Sequence, residues 1–389
     1  MKREVFILSF VWMLTAAGYV ISVPFLNIFL YNERGIPMKI VGLYITLASL
    51  IGAILRIYSG KLADKFSSIF VMNIGLISRI LAFIGFSILV SFTSPVYLFF
   101  FAFALNSIGF SFYGTASDTY VGEYLSSKER PKAYGIIRIG TNIGWAAGPA
   151  FGGFLANMSY FLLFSISAFL AIIAFLTNMI FIRDKKITGF EKKKDNYSLK
   201  DVLKNKNFLI FIAGSFTVSL LVGQLISTLP VFARYKGLNN LYVGYLFTVN
   251  GLMVVLFQYF ITNLFTKISN KKGLIVGNSL YFLGYLTFAW ANSFPSFVLG
   301  VIILTIGEMI TMPLITTVAT IIAPEEKKGT YIGVLGFSQG LGWAIAPFIG
   351  GIFIDIFIKN PLFLWLATSS FAIFGILFYL KVKGIDGKD

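Results

Sequence analysis

The sequence predicts an all-α integral membrane protein whose twelve transmembrane helices form two pseudo-symmetric six-helix bundles. Of its 389 residues, 57% are apolar and only 12% are charged, and the mean hydropathy is +0.83. Soluble proteins keep about a quarter of their residues charged. Beyond composition, the chain contains twelve apolar stretches of membrane-spanning length, and its two halves repeat each other in sequence.

The twelve stretches follow from the length that a helix needs to cross a bilayer, about 20 predominantly apolar residues. They cover residues 5–31, 37–58, 69–92, 95–122, 133–157, 160–182, 207–233, 241–266, 273–292, 296–322, 330–357 and 361–380. An even number of spans places both termini on one side. The first stretch is far longer than a signal-peptide core and precedes no small-residue cleavage pattern, so we expect it to be retained.

The longest polar segment, 183–206, divides the spans into two sets of six. We therefore expect an N-terminal six-helix bundle over 1–182, a cytoplasmic basic linker over 183–206 and a C-terminal six-helix bundle over 207–389.

The chain contains no Cys and no His, which excludes disulfides, thiolate metal sites, Cys nucleophiles and imidazole bases. We expect no enzyme activity, no metal and no cofactor.

The net charge of +16 is explained by topology. If the N-terminus is cytoplasmic, 24 of the 32 basic residues fall in cytoplasmic segments, five fall in the opposite loops, and Arg56, Arg79 and Arg138 fall within spans. This asymmetry satisfies the positive-inside rule. It predicts a multi-pass protein of the cell (plasma) membrane with both termini cytoplasmic, and it indicates attraction to anionic lipid rather than to nucleic acid.

The two halves match in two registers. At an offset of 202, the stretch that begins Val41-Gly42 matches the one that begins Val243-Gly244; at an offset of 198, 135–153 matches 333–351 with seven identities, most of them Gly, Pro or Trp. Shared membrane composition is the alternative explanation. Two parallel six-helix halves can rock about a site near the midplane, so the repeat indicates a transporter.

The loop after the second span reads Gly60-Lys61-Leu62-Ala63-Asp64-Lys65. It resembles the cytoplasmic signature between helices two and three of the major facilitator superfamily. The resemblance implies that the Asp64 carboxylate helps to hold the cytoplasmic side closed. Residues 67–69 are Ser-Ser-Ile, where the family has Gly and two basic residues, so Arg56 or Lys65 would have to complete the charge relay.

The fifth span carries a second signature. Its members are Gly135, Gly144, Gly148, Pro149, Gly152 and Gly153. This spacing resembles the motif of the antiporter branch of the same superfamily, which includes drug/proton exporters. Glycines four apart allow close helix packing and Pro149 permits a bend, which suits a sliding seal between the halves. Ordinary small-residue packing is the alternative. The fourth-helix Arg usual in that branch is missing, since no Lys or Arg occurs between 80 and 127.

Charges at membrane depth usually have a partner, a cavity or a function. Glu308 lies near the middle of the tenth span, and the resemblance implies that helices one, four, seven and ten line the central cavity. A carboxyl there can exchange a proton for a cationic substrate; a purely structural carboxyl is the alternative.

Asp118 and Arg138 are at similar depth on consecutive spans, and we predict a buried ion pair with a structural or gating role. Arg79 has no partner visible in the sequence.

Further cavity candidates are polar or aromatic residues on the first, fourth and seventh spans, namely Tyr19, Asn27, Asn106, Tyr113 and Gln224. A cavity of this chemistry with one carboxylate suits amphipathic cations.

The sequence thus predicts a proton-coupled exporter of small amphipathic or drug-like molecules that works by alternating access. Its partners would be a small-molecule substrate, the proton as coupling ion and the lipid bilayer, with no nucleic acid, and we expect a monomer. No ATP-binding loop of the Gly-x-x-x-x-Gly-Lys-Ser/Thr type is present. A proton symporter for sugars or organic acids, a lysolipid or lipid-precursor flippase, and a non-transporting receptor stay open as alternatives.

Overall fold

The computed structural model describes residues 3–92, 95–125, 129–183, 199–265, 268–324 and 327–385, and this part of the chain is helical without strands. We number the twelve long helices α1–α12. They are α1 Arg3–Ile28, α2 Met38–Lys65, α3 Ser68–Ser91, α4 Val96–Tyr124, α5 Arg130–Met158, α6 Tyr160–Phe181, α7 Lys206–Tyr235, α8 Asn240–Phe265, α9 Asn270–Thr287, α10 Phe294–Ile322, α11 Lys328–Phe357 and α12 Pro361–Lys381. Short helical segments cover Phe29–Glu33, Leu199–Lys204 and Phe288–Trp290.

Eleven of these helices are long and apolar enough to cross a membrane. The remaining long helix, α5, has 29 residues; its first third contains Arg130, Lys132 and Arg138, and the rest is rich in Gly and also contains Asn and Pro, so it is less apolar than the others. The predicted all-helical membrane fold is confirmed.

The chain forms two compact units. Unit 1 contains Met1–Ile36, Leu43–Lys192 and Asn239–Thr248, and unit 2 contains Pro37–Gly42, Lys193–Leu238 and Val249–Asp389. The first turn of α2 therefore belongs with the C-terminal helices, and the first third of α8 belongs with the N-terminal ones. Each of these two helix segments begins directly after a short turn.

Those two turns depend on glycine. Gly35 before α2 has φ +63°, and Gly237 before α8 has φ +93°. Backbone in this region strains residues that have a Cβ. The two glycines are 202 positions apart, the offset of the first sequence repeat, so the repeat extends to the backbone conformation that starts each helix.

The first turn of α2 is capped by Asp355 of α11. Its carboxylate accepts hydrogen bonds from the backbone N–H groups of Met38 at 2.8 Å and Lys39 at 3.0 Å. The first N–H groups of a helix have no partner within the helix, and a negative charge there is favourable. Asp355 thus fixes the start of α2 in unit 2.

Candidate transport site

Glu308 lies on α10 in unit 2, where its side chain is half-buried. The side-chain N–H of Asn250 on α8 donates a hydrogen bond of 2.9 Å to the carboxylate, and the same nitrogen lies 2.9 Å from the hydroxyl of Thr305. Thr305 in turn donates to the carbonyl of Val301 at 2.6 Å. The carboxyl is therefore oriented by a polar chain while part of its surface stays accessible.

Glycine brings the helices together at this level. A Cβ on Gly307 would lie 2.6 Å from the carbonyl oxygen of Gly277 on α9 and 3.1 Å from the backbone nitrogen of Tyr281. The buried hydroxyl of Tyr281 has no hydrogen-bond partner among the described residues, and the charge of Glu308 acts on it. The carboxyl thus sits where α8, α9 and α10 meet.

The candidates on α1 and α4 lie in unit 1. Tyr19 is half-buried, and its ring centroid is 6.1 Å from that of Trp145. Tyr113 is buried, and its ring contacts Trp12 at 5.2 Å. Asn27 and Asn106 are buried, and each has a carboxamide oxygen without a hydrogen-bond partner in the described part of the chain. The Tyr113 hydroxyl and the two carboxamide oxygens are therefore polar atoms at membrane depth with unused hydrogen-bonding capacity.

Gln224 on α7 is used differently. It is completely buried, its side-chain N–H donates to the carbonyl of Ala346 on α11 at 2.9 Å, and its carbonyl oxygen accepts from the hydroxyl of Thr228. Because both ends of the amide are engaged, Gln224 contributes to the packing of α7 on α11.

Arg79 of α3 is 2% exposed and donates a hydrogen bond of 2.8 Å to the carbonyl of Thr15 on α1. Its guanidinium also lies 5.7 Å from the ring centroid of Phe83. The sequence left this residue without a partner, and the structure shows that it reaches across to the first helix.

The predicted buried ion pair between Asp118 and Arg138 is wrong. Both side chains are exposed, and the basic group whose charge acts on Asp118 is Arg56 of α2, also exposed. An ideal Cβ on Gly114, one turn before Asp118, would lie 3.9 Å from a terminal nitrogen of Arg56. Similar depth on consecutive spans gave the wrong partner because depth does not fix which way a helix face turns.

In the cytoplasmic signature, a Cβ on Gly60 would lie 3.7 Å from the Thr115 methyl group of α4. Lys65 is exposed, with its ammonium 5.4 Å from the ring centroid of Phe66. The side chain of Asp64 lies outside the described residues, as does most of the basic linker. The gating role of the signature stays a prediction.

The antiporter-type motif packs chiefly on α1. A Cβ on Gly144 would lie 2.9 Å from the Ala17 nitrogen, and one on Gly152 would lie 2.8 Å from the Ile21 Cα. Gly148, between them, lies against Val20 and Ala17. These glycines are one helical turn apart and bring α5 onto the backbone of α1 within unit 1, as close small-residue packing does.

The other motif members behave differently. A Cβ on Gly135 would meet open space, whereas one on Gly153 would lie 3.1 Å from the Cα of Gly244 on α8. The motif therefore joins α5 to α1 through three glycines and to the start of α8 through one.

The repeat of this motif in unit 2 packs in the same way. A Cβ on Gly342 of α11 would lie 2.7 Å from the Ser219 Cβ of α7. Gly350 lies against the side chains of Gln224 and Thr228, and Gly351 lies against the backbone of Met38.

Two important residues were absent from the sequence candidates. Asn250 holds Glu308, and Asp355 caps α2. Both are polar residues inside apolar stretches, which was a usable signal, but the sequence contains no indication of their partners because those lie 58 and 317 positions away.

Comparison with known proteins agrees with this architecture. The chain is 27% identical over 366 residues to the uncharacterized MFS-type transporter YqjV of Bacillus subtilis, covering 92% of this chain and 88% of the relative. It is 25% identical over 381 residues to the quinolone resistance protein NorA of Staphylococcus aureus, covering 95% and 94%. A bacterial homologue of the human lysosomal transporter Spinster, solved in an inward-facing conformation, superposes with a TM-score of 0.77 at 16% identity, covering 97% and 95%.

The family model of the Major Facilitator Superfamily matches residues 8–347. Together with the twelve long helices and the two internally repeated units, this match settles the family and excludes an enzyme. The chain belongs to the major facilitator superfamily and is a multi-pass membrane transporter.

Proposed function

We propose that this transporter exports small amphipathic or drug-like molecules in exchange for protons by alternating access. The observation that carries the proposal is the half-buried carboxyl of Glu308 in the middle of α10, held by Asn250. A carboxyl in a partly dry site can give up a proton when a cationic substrate arrives and take one back when the substrate leaves. Such an exchange couples transport to a proton gradient.

The direction of transport is supported by two features. The complete antiporter-type spacing on α5 resembles that of exporters, and NorA, a relative of this chain, is named for quinolone resistance. The same evidence supports fluoroquinolones as a first class of molecules to test.

We further propose that the protein lies in the plasma membrane with both termini in the cytoplasm, as a monomer. The distribution of basic residues, 24 against five, supports this orientation. Cysteine accessibility tests it well because the natural chain has no Cys: a cysteine introduced at Lys2 or Lys388 should resist impermeant thiol reagents in intact cells.

Proteoliposomes test the proton exchange. Vesicles loaded with a pH-sensitive dye should record proton movement when a gradient of a cationic substrate is imposed, and Glu308→Gln should abolish this signal. Glu123→Gln is the matched control, because Glu123 is a carboxylate of α4 that accepts a hydrogen bond from Ser68 and has no part in the proposal.

The proposal fails if the substrate gradient moves no protons in the wild type, or if Glu308→Gln leaves flux and its pH dependence intact. Facilitated flux without proton movement would instead indicate a uniporter. Proton entry together with substrate uptake would favour the symporter alternative.

A further inference from the structure

The buried guanidinium of Arg79 has no role in the proposed proton exchange. It makes one hydrogen bond, to the Thr15 carbonyl, and its Nε has no partner among the described residues. A guanidinium carries five N–H donors and a full positive charge. Burying a charge in an apolar environment is costly unless it is paired, so one backbone carbonyl leaves most of that cost uncompensated.

The path of the Arg79 side chain depends on two glycines. A Cβ on Gly109 of α4 would lie 2.5 Å from the Arg79 Cγ, and one on Gly75 of α3 would lie 2.6 Å from the Tyr113 nitrogen. The missing side chains let α3 and α4 pack backbone to backbone and let Arg79 pass over α4 to α1. A guanidinium from α3 thereby lies beside α4, which has no Lys or Arg of its own.

No carboxylate of the described residues acts on this charge. The residues that interact electrostatically with the guanidinium are Tyr19 and Tyr113. The Tyr113 hydroxyl is buried without a partner. A guanidinium and phenol hydroxyls are hydrogen-bond donors of the kind that recognise a carboxylate.

We propose that Arg79, with Tyr19 and Tyr113, binds an anionic group of the transported molecule, a carboxylate in the first instance. This inference rests on the proposed exchange of protons for cationic amphipathic molecules, and it narrows those substrates to molecules that also carry an anionic group. Half-buried Tyr19 is the accessible member of the set, and Trp145 beside it offers an aromatic surface to the body of the substrate.

The test uses three pairs of probes, each a carboxylic acid and its ethyl ester. The acids are ciprofloxacin, naphthylacetic acid and the free acid of rhodamine 6G, whose ethyl ester is rhodamine 6G itself. Binding to the purified wild-type protein should favour the acid of at least one pair by about tenfold, the value of one hydrogen bond to a charged group. Arg79→Gln should remove that preference, and Arg79→Lys should retain part of it.

Tyr113→Phe keeps the test decisive if Arg79→Gln does not fold. It removes only a hydroxyl that has no partner, so the protein should fold normally and the acid preference should fall. Tyr97→Phe, at an exposed position of α4, is the matched control and should leave the preference unchanged.

Three results would overturn the inference. The first is that no acid of the panel binds better than its ester, and the second is that Tyr113→Phe and Arg79→Lys both leave the preference for the acid unchanged. The third is that Arg79→Gln weakens binding of acid and ester equally, as loss of a purely structural residue would. The ester probes distinguish failure of the proposed anion site from failure of the proposed proton exchange. If esters drive proton movement while acids gain nothing, Glu308 keeps its role and the anion site is wrong.

Discussion

Gly244 lies directly against Pro149: a methyl group in place of the glycine hydrogen would be 2.5 Å from the proline carbonyl oxygen. The repeat-related glycine, Gly42, lies in the same way against Pro347. The first pair belongs to unit 1 and the second to unit 2. The glycines belong to the repeat at an offset of 202 and the prolines to the repeat at an offset of 198. Each unit therefore contains one equivalent contact between a glycine of the first repeat and a proline of the second.

This contact leads to the first prediction. Gly244→Ala should cost about 1–3 kcal/mol of stability, because backbone atoms on both sides cannot give way to the added methyl group. Thermal unfolding of the purified protein should show the loss. Gly336→Ala is the matched control, since a Cβ there meets open space; equal effects of the two substitutions would contradict the close contact.

The second prediction separates the members of the antiporter-type motif. Gly152→Ala should destabilise the α1–α5 contact by about 1–3 kcal/mol because its Cβ would lie 2.8 Å from the Ile21 Cα. Gly135→Ala should be neutral or stabilise the helix by up to about 1 kcal/mol, because nothing lies nearby. Unfolding temperature and transport rate measure both. If Gly135→Ala is as damaging as Gly152→Ala, packing on α1 does not explain the motif.

The third prediction concerns the cap of α2. Asp355→Ala removes the acceptor of two backbone N–H groups and should cost about 1–2 kcal/mol. Asp355→Asn, which keeps one acceptor oxygen but loses the charge, should cost less. Thermal unfolding is the readout, and Lys359→Ala, at an exposed position shortly after α11, is the control. A loss no larger than that of the control would show that the cap is dispensable.

The fourth prediction follows from the exposure of Asp118 and Arg138. In a double-mutant cycle with Asp118→Asn and Arg138→Gln, the effects on stability should add within about 0.5 kcal/mol. A cycle with Arg56→Gln should show the larger coupling, since Arg56 is the basic group that acts on Asp118. Strong coupling between Asp118 and Arg138 would restore the pair that the sequence predicted.

Hydropathy and internal repetition were enough to predict the helices. Burial in a bilayer demands long apolar helices, whose length can be read directly from sequence. Matching Gly, Pro and Trp positions identified the two repeated halves. Even the turn glycines Gly35 and Gly237, which have positive φ, follow the same offset. These features depend on local chemistry, which every stretch of sequence carries by itself.

Partners could not be predicted in the same way. Glu308 stood out as a charge at membrane depth, but its contact with Asn250 depends on how α8 and α10 are rotated against each other. Arg79 gains its neighbours only because Gly75 and Gly109 let α3 and α4 approach closely.

The sequence by itself determined the membrane fold, the two repeated halves and the short set of charged residues worth testing, because hydrophobicity and spacing act locally along the chain. The tertiary structure alone decided which charges are buried and what they contact: Arg79 is enclosed, whereas Asp118 and Arg138 are exposed. The physical reason is that helix rotation and close approach are set by packing between segments far apart in sequence.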